Sequence, residues 1–145
     1  MPGEWSQWAT DNFEGKTDPA QFCEDGSYAV AMKWMEEGGY GLTNLEFWCS
    51  NGIFYKMTQE DNGVWNRELG CDEGFDQTIA REQGRYGIVN VCVSCVNSGE
   101  CDYSNNNFDG NDGYAQSCPG GMKITGFETQ EQGGYGIINY RFMCN

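Results

Sequence analysis

The sequence contains no histidine, three prolines and eight basic side chains, and it has no long hydrophobic run. Without histidine, a serine or cysteine nucleophile would lack its usual general base. The apolar stretches fall short of the roughly 20 residues that a membrane helix needs. No Asn-x-Ser/Thr sequence marks a site for N-glycosylation. We therefore expect neither a histidine-dependent hydrolase nor a membrane-spanning protein.

Acidic side chains greatly outnumber basic ones, with 22 Asp and Glu against 8 Lys and Arg, for a net charge of -14. Such a charge repels the phosphate backbone of nucleic acids and anionic lipid surfaces. It favours cationic proteins, calcium or neutral glycans as partners. Because 39% of the 145 residues are hydrophobic and 14% are aromatic, we expect one domain with a buried core over residues 1–145.

Eight cysteines in a chain without histidine are typical of an oxidised extracellular protein rather than of a cytosolic metal site. The first residues, MPGEWS, are polar and lack the apolar segment of a signal peptide, so we expect a mature secreted form. The spacing Cys92-x-x-Cys95 also occurs in redox and zinc sites. Such a site needs a helix N-terminus or two further ligands, which the local pattern does not offer. We expect no metal and no cofactor.

One phrase of the sequence occurs three times, as GGYGLTNLEFWC (38–49), GRYGIVNVCVSC (84–95) and GGYGIINYRFMC (133–144). Upstream of each phrase a cysteine opens a short turn, CEDG at 23–26, CDEG at 71–74 and CPGG at 118–121. These spacings predict three internal repeats, approximately residues 3–52, 63–97 and 112–145. The first repeat then carries an insertion, TDNFEGKTDPAQF.

The pattern within each repeat predicts β-strands. In the closing segment of the first repeat, Leu45, Phe47 and Cys49 alternate with polar or outward positions, a period of two. The segment before it leads through a glycine turn, which is typical of a hairpin. The 21 glycines interrupt every helical window. The class is therefore all-β, and three repeats with room for about four short strands each predict a β-prism or a β-trefoil.

Eight cysteines allow on the order of a hundred pairings, so the connectivity does not follow strictly from the sequence. If each repeat closes itself, the pairs are Cys23–Cys49, Cys71–Cys95 and Cys118–Cys144, and Cys92 and Cys101 are left for each other. Cys92 occupies an outward position, from which it can reach a surface loop. Each closed repeat would then contribute about 3 kcal/mol to stability by the chain-entropy relation.

Three segments resemble the vitelline membrane outer layer protein I family: GEWS (3–6), the Cys-x-x-Gly turn and LTNLEFWCSNG (42–52). That family carries a Trp-Gly-x-Trp-Ser opening, a Cys-x-x-Gly turn and a closing strand ending in Cys-Ser-Asp-Gly, three times over. The chain departs from it at the turn, where Gly-Tyr-Gly-Leu-Thr-Asn replaces Asp-Asp-Thr-Ala-Leu-Asn. The resemblance implies a β-prism of three Greek-key sheets with four disulfides, secreted into an egg coat or another extracellular layer.

Glycan contact is the binding chemistry that the side chains suit best. Five tryptophans and eight tyrosines offer flat apolar faces to sugar rings, and amides can bond hydroxyl groups. The candidate glycan-binding residues are Tyr40, Tyr86, Tyr135, Trp48, Asn44, Asn90 and Asn139. The segment DYSNNNFDGNDG (102–113) has calcium-like spacing of oxygen ligands, but it lacks the closing glutamate, which favours a polar loop.

Three functions follow in order of preference. The first is a secreted structural protein of an extracellular layer, in contact with glycans or cationic matrix proteins and able to self-assemble through strand edges. The alternative is a soluble glycan-binding lectin. The third is a transferase or glycosidase acting on chito-oligosaccharides, an activity suggested for the family that the chain resembles. We assign no catalytic residue, and the carboxylates closest to such a role are Glu36, Glu37, Glu82, Glu128 and Glu131.

Overall fold

The computed structural model describes residues 3–38, 41–84, 87–133 and 136–145. Within these ranges the regular structure is β-strand, as the alternating sequence predicts. No helix in the described ranges is long and apolar enough to cross a bilayer. In chain order the strands are β1 (Glu4–Trp5), β2 (Lys16–Thr17), β3 (Gln21–Phe22), β4 (Ala29–Glu37), β5 (Gly41–Cys49), β6 (Phe54–Lys56), β7 (Val64–Trp65), β8 (Leu69–Gly70), β9 (Phe75–Gln83), β10 (Gly87–Cys95), β11 (Asp102–Tyr103), β12 (Asn111–Ser117), β13 (Ile124–Gln132) and β14 (Gly136–Cys144).

The strands form three antiparallel sheets, each built on one long hairpin. Sheet I has the order β6-β5-β4-β7, with β8 also pairing with β4, and sheet II has the order β11-β10-β9-β12. In both, the fourth strand returns beside the first, which is the Greek-key order. Sheet III has the order β1-β14-β13-β2, with β3 also pairing with β13. The N-terminal strands therefore complete the sheet of the C-terminal hairpin.

The three sheets pack around a common axis. Strands β5, β10 and β14, one from each sheet, all contact one another, which gives the molecule its pseudo-threefold arrangement. Because each sheet is hydrogen-bonded separately rather than closed into a barrel, the structure is the predicted β-prism and not the alternative β-trefoil.

The core is formed largely by alternate residues of β5, β10 and β14, on the face that also carries the final cysteine of each strand. Phe47, Tyr140 and Phe142 are fully buried, as their alternation predicts. The rings of Trp34 and Tyr140 lie 5.5 Å apart, so side chains from sheets I and III meet at the axis. Each of these large rings contributes a large apolar area to the buried core.

The eight cysteines form the four pairs that self-closing repeats predict. Three of these disulfides join neighbouring sheets. Cys23 follows β3 of sheet III, and its partner Cys49 ends β5 of sheet I. The other two disulfides repeat this arrangement between sheets I and II and between sheets II and III. The four pairs are Cys23–Cys49, Cys71–Cys95, Cys118–Cys144 and, within sheet II, Cys92–Cys101.

The repeats of the sequence and the sheets of the structure are offset from one another. The first short strands of the second and third repeats pair with the hairpin of the repeat before, and those of the first repeat pair with the C-terminal hairpin. The long hairpin of each repeat then forms the centre of a new sheet. A disulfide that closes one repeat therefore joins two sheets. Strand β1 is the edge strand of sheet III and pairs with β14. Strands β6 and β11 are the equivalent edge strands of sheets I and II. Both precede the residues at which the second and third sequence repeats were predicted to begin.

Candidate functional site

The three repeated asparagines are buried and hold loops of the chain. The amide of Asn44 donates to the carbonyl oxygens of Thr58 (3.2 Å) and Glu60 (2.8 Å). Its side-chain oxygen accepts from the backbone amide of Thr58 at 2.9 Å. Asn90 and Asn139 make the equivalent bonds to the loops at 105–107 and 10–12. All three are fully buried, so they offer no side-chain atom to a glycan, contrary to the prediction.

The loops held by these asparagines are a second repeated motif, which the sequence analysis missed. They read TDNFEG (10–15), TQEDNG (58–63) and NNNFDG (105–110). In each, the third residue accepts a bond from the backbone amide of the fifth through its side-chain oxygen. The start of TDNFEGKTDPAQF is therefore an equivalent loop and not an insertion. The calcium-like spacing of oxygen-bearing side chains at 107–111 falls in one of these loops. There the side-chain oxygen of Asn107 accepts a bond from the backbone amide of Asp109.

Each loop ends on a glycine that lies against the backbone of a hairpin. A Cβ at Gly63 would come 2.6 Å from the carbonyl oxygen of Glu36. Gly15 and Gly110 lie in the same way against the carbonyl oxygens of Glu131 and Glu82. A final glycine is needed because a side chain would overlap backbone atoms. The sequence pattern Thr/Asn-x-Asn/Glu-x-polar-Gly occurs once in each of the three loops. This pattern is the sequence signal that could have predicted them.

Polar clefts lie between neighbouring sheets where these loops approach the hairpins. The sheet I/II cleft has a volume of about 790 Å³ and is lined by Glu36, Asn66 and Arg67 of sheet I and by residues 101–108 of sheet II. The sheet III/I cleft has a volume of about 610 Å³ and is lined by residues of sheet III, including Glu131, and by residues 56–60 of sheet I. The two clefts are related by the pseudo-threefold arrangement, but their side chains differ.

The sheet I/II cleft places an exposed aromatic ring beside fixed polar groups. Phe108 is 51% exposed, and its ring meets the ring of Tyr103 edge-on at 4.9 Å. Arg67 donates twice to the carbonyl oxygen of Tyr103, at 3.0 and 2.9 Å. The Asn66 amide donates to the Glu36 carboxylate at 2.7 Å. The cleft therefore offers an apolar ring, a carboxylate and a guanidinium whose orientations are set by the protein.

The sheet III/I cleft is acidic. Burial raises the pKa of the Glu131 carboxyl to about 7, helped by the hydrogen bond and the charge of Asp18, while Lys16 opposes the shift and Glu60 adds to it. The hydroxyl of Thr129 donates to the Asp18 carboxylate at 3.0 Å. Among the described residues, no group of three or more His, Cys, Asp or Glu side chains is placed to hold a metal ion.

Of the carboxylates considered for a catalytic role, Glu37 of sheet I and Glu131 of sheet III line one small cleft together with Glu60, and Glu36, Glu82 and Glu128 are not among its lining residues. Glu36, Glu82 and Glu131 occupy equivalent positions beside the three hairpin turns, one in each sheet. Burial and the charge of Asp11 raise the pKa of Glu82. Glu128 lies on the outer face of sheet III, where it accepts a bond from Arg141 at 2.8 Å. The threefold arrangement thus keeps the three equivalent glutamates apart.

The remaining candidate glycan contacts lie in two places. Trp48 is half-buried on the outer face of sheet I, opposite Phe54 of the neighbouring strand. The ammonium of Lys33 lies 5.4 Å from the centres of both the Trp48 and the Trp65 rings. The outward position that the sequence predicts for Trp48 is therefore confirmed. The turn tyrosines Tyr40, Tyr86 and Tyr135 lie outside the described residues.

Comparison with known proteins finds likeness in structure but not in sequence. No family model matches the chain, and no curated protein matches it in sequence. A prostate-specific WGA16 glycoprotein lectin superposes with a TM-score of 0.71 at 14% identity, over 96% of this chain and 98% of that one. Calystegia sepium agglutinin superposes with a TM-score of 0.72 at 12% identity, over 100% and 97%.

A single-chain recombinant jacalin is a third structural neighbour, with a TM-score of 0.57 at 9% identity, over 94% of this chain and 97% of that one. Identities this low show the fold alone. The chain therefore has the β-prism fold and shares it with jacalin-like lectins.

Proposed function

We propose that the protein is a secreted glycan-binding protein and that the sheet I/II cleft is its binding site. The observation that carries the proposal is the exposed Phe108 ring, which lines the same cleft as the Glu36 carboxylate and the Arg67 guanidinium. One face of a pyranose ring is apolar and stacks on an aromatic side chain, while its hydroxyl groups need donors and acceptors at fixed positions. This cleft supplies both.

The position of the ring is fixed before any ligand arrives. Arg81 donates to the carbonyl oxygens of Phe108 (2.9 Å) and Gly110 (2.8 Å), which holds the loop that carries the ring. A site already ordered loses less conformational entropy on binding. A neutral sugar also avoids the repulsion that the net charge of -14 would exert on an anionic ligand.

Structural neighbours support a lectin over a purely structural protein. Several of them are lectins, and Calsepa lectin was solved in complex with a bisected glycan and with a biantennary N-glycan. Four disulfides support an extracellular location. The motif resemblance to the vitelline membrane outer layer protein I family supports an egg coat or a similar extracellular layer as the place where the glycan is met.

The proposal is tested with an array of soluble glycans, followed by titration of the glycan that binds best. We expect Phe108→Ala and Glu36→Gln each to weaken binding at least tenfold, because one removes the stacking face and the other a hydrogen-bond acceptor. Tyr114→Ala is the matched control, since Tyr114 is 74% exposed and lies on β12 outside the cleft. Absence of binding to every glycan, or unchanged affinity of Phe108→Ala, contradicts the proposal.

A further inference from the structure

We propose that the outer face of sheet I is a second glycan-contact surface, which takes the flat side of an extended β-linked polysaccharide of neutral sugars. The surface, named the aromatic strip, consists of Trp48, Phe54 and Trp65 around Lys33. The inference rests on the proposed function in that both ligands are glycans. It uses none of the residues that line the sheet I/II cleft.

The three rings of the aromatic strip come from three strands, Trp48 from β5, Phe54 from β6 and Trp65 from β7. Trp48 of β5 and Phe54 of β6 are register partners in the sheet. Their ring centres are 5.8 Å apart and their planes differ by 31°, so the two rings adjoin each other at a moderate tilt. Phe54 is 53% exposed, and Trp48 and Trp65 are partly exposed. Aromatic and apolar side chains exposed together on one face are typical of a binding surface.

The charges within the aromatic strip favour a neutral ligand. Lys33 lies 3.8 Å from the carboxylate of Glu46 on the adjacent strand, so the two charges offset each other. The ammonium stays near both tryptophan rings, where a cation is attracted to the ring faces. Lys33 therefore offers its ammonium to sugar hydroxyl groups between the two tryptophans, while the buried Glu46 offsets its charge.

The equivalent face of sheet III lacks this flat arrangement. The guanidinium of Arg141 lies 4.1 Å from the centre of the Trp5 ring and 4.8 Å from that of Trp8. The planar guanidinium thus covers one face of each ring more closely than Lys33, at 5.4 Å, approaches the tryptophans of sheet I. The neighbouring rings are inclined, with 56° between Trp5 and Phe22 and 88° between Trp8 and Phe13. Sheet III thus provides a comparison with the same residue types and a different geometry.

A flat aromatic surface and a cleft suit different glycans. The sheet I/II and sheet III/I clefts do not include Trp48, Phe54 or Trp65, so a sugar stacked on the strip lies outside both clefts. A single sugar gains little binding free energy on such a surface. A straight β-linked chain can stack several of its sugar rings on the aromatic side chains at once, since its pyranose faces lie along one ribbon. Each aromatic contact adds stacking area without new ordering of the protein.

The test is sedimentation of the protein with microcrystalline cellulose and with chitin powder, two insoluble β-linked ribbons, and with starch granules, whose α-linked chains are helical. We expect retention on at least one ribbon and not on starch. Phe54→Ala and Trp48→Ala should each reduce the partition coefficient on that ribbon at least tenfold, and Phe54→Tyr should retain it. Near-ultraviolet circular dichroism verifies the fold of each variant.

Trp5→Ala and Tyr114→Ala are the matched controls, and both should sediment like the unmodified protein. Phe108→Ala should sediment with the ribbon like the unmodified protein. Phe54→Ala should bind soluble glycans like the unmodified protein. Loss of binding at the aromatic strip can therefore be distinguished from loss of binding at the sheet I/II cleft. Lack of retention on both ribbons overturns the inference. Equal loss in Trp5→Ala and Phe54→Ala, or retention of Phe54→Ala at the unmodified level, also overturns it.

Discussion

The two ends of the prism hold the three sheets in different ways. At the cysteine end, where β5, β10 and β14 finish, three disulfides join each sheet to its neighbour. At the turn end, where the hairpins reverse, buried amides of Asn44, Asn90 and Asn139 hold the crossing loops. Polar clefts remain between the sheets there. The cysteine end is therefore linked covalently, whereas the turn end is held by hydrogen bonds and keeps open clefts between its sheets.

The largest expected effect comes from opening the cysteine end. Replacing both Cys23 and Cys49 with alanine should lower the free energy of unfolding by about 3 kcal/mol, because the bridge limits the unfolded chain and joins two sheets. Guanidinium unfolding measures the loss. Replacing Cys92 and Cys101 is the control, since that bridge lies within sheet II and spans 9 residues. A larger loss for the control would show that joining the sheets is not what stabilises this end.

The turn end should respond to the loss of a single amide. Asn139→Ala should lower the free energy of unfolding by about 2 to 3 kcal/mol, because backbone groups of Thr10 and Asn12 lose their partners. Asn106→Ala should stay within about 0.5 kcal/mol, since Asn106 is exposed. Thermal unfolding of both variants under non-reducing conditions measures the difference. Equal stability of the two would mean that the crossing loop is not held by this amide.

Two glycines with positive φ allow the ends to be compared by the same substitution. Gly63→Ala at the turn end should cost about 2 kcal/mol or more, because φ is +131° and the new Cβ would overlap the carbonyl oxygen of Glu36. Gly52→Ala at the cysteine end should cost only about 1 kcal/mol, because φ is +93° but no atom lies within 4 Å. Urea unfolding of the two variants gives the comparison. A smaller cost for Gly63→Ala would contradict the close packing of loop and hairpin.

The smallest expected effect is a pH dependence at the turn end. The pKa of Glu131 in the folded protein is about 7, above its ordinary value of 4.5. Between these values the folded state binds more protons than the unfolded state, so stability should fall as pH rises from about 5 to 7 and then level off. Because the carboxyl is partly exposed, we expect no more than about 1 kcal/mol.

Melting temperatures at pH 5, 6, 7 and 8 measure this slope, and Glu131→Gln should reduce it. The slope that remains is expected from Glu82 and Asp76, whose pKa values burial also raises. If Glu131→Gln and the unmodified protein lose stability equally over this range, the acidic cleft does not contribute to the pH dependence.

The parts of the fold that depend on local periodicity were predictable. Alternation placed Phe47 and Phe142 in the core, because successive side chains of a strand point to opposite faces. The same rule placed Trp48 outward. The four cysteine pairs followed once each repeat was assumed to close itself, since the paired cysteines are 26, 24 and 26 residues apart in the three repeats. The offset between repeats and sheets was not predictable, because it depends on which distant strands pair.

The candidate site was less predictable for the same reason. Asn44 resembles a ligand contact in the sequence, since nothing local reveals that its partners are Thr58 and Glu60. Phe108 was noted only as part of a polar loop, and its place beside Glu36 and Arg67 requires sheets I and II to meet.

By itself, the sequence determined the strand class, the threefold repetition and the inner faces, because these follow from periodicity along the chain. It determined the cysteine pairs only with the added assumption that each repeat closes itself. Tertiary structure alone decided which polar residues are buried, which sheets the disulfides join and where the clefts lie. These features depend on contacts between residues far apart in the chain, such as Asn139 with Thr10. Which loop supplies the hydrogen-bond partners of a buried side-chain amide is determined by tertiary packing and not by local sequence preference.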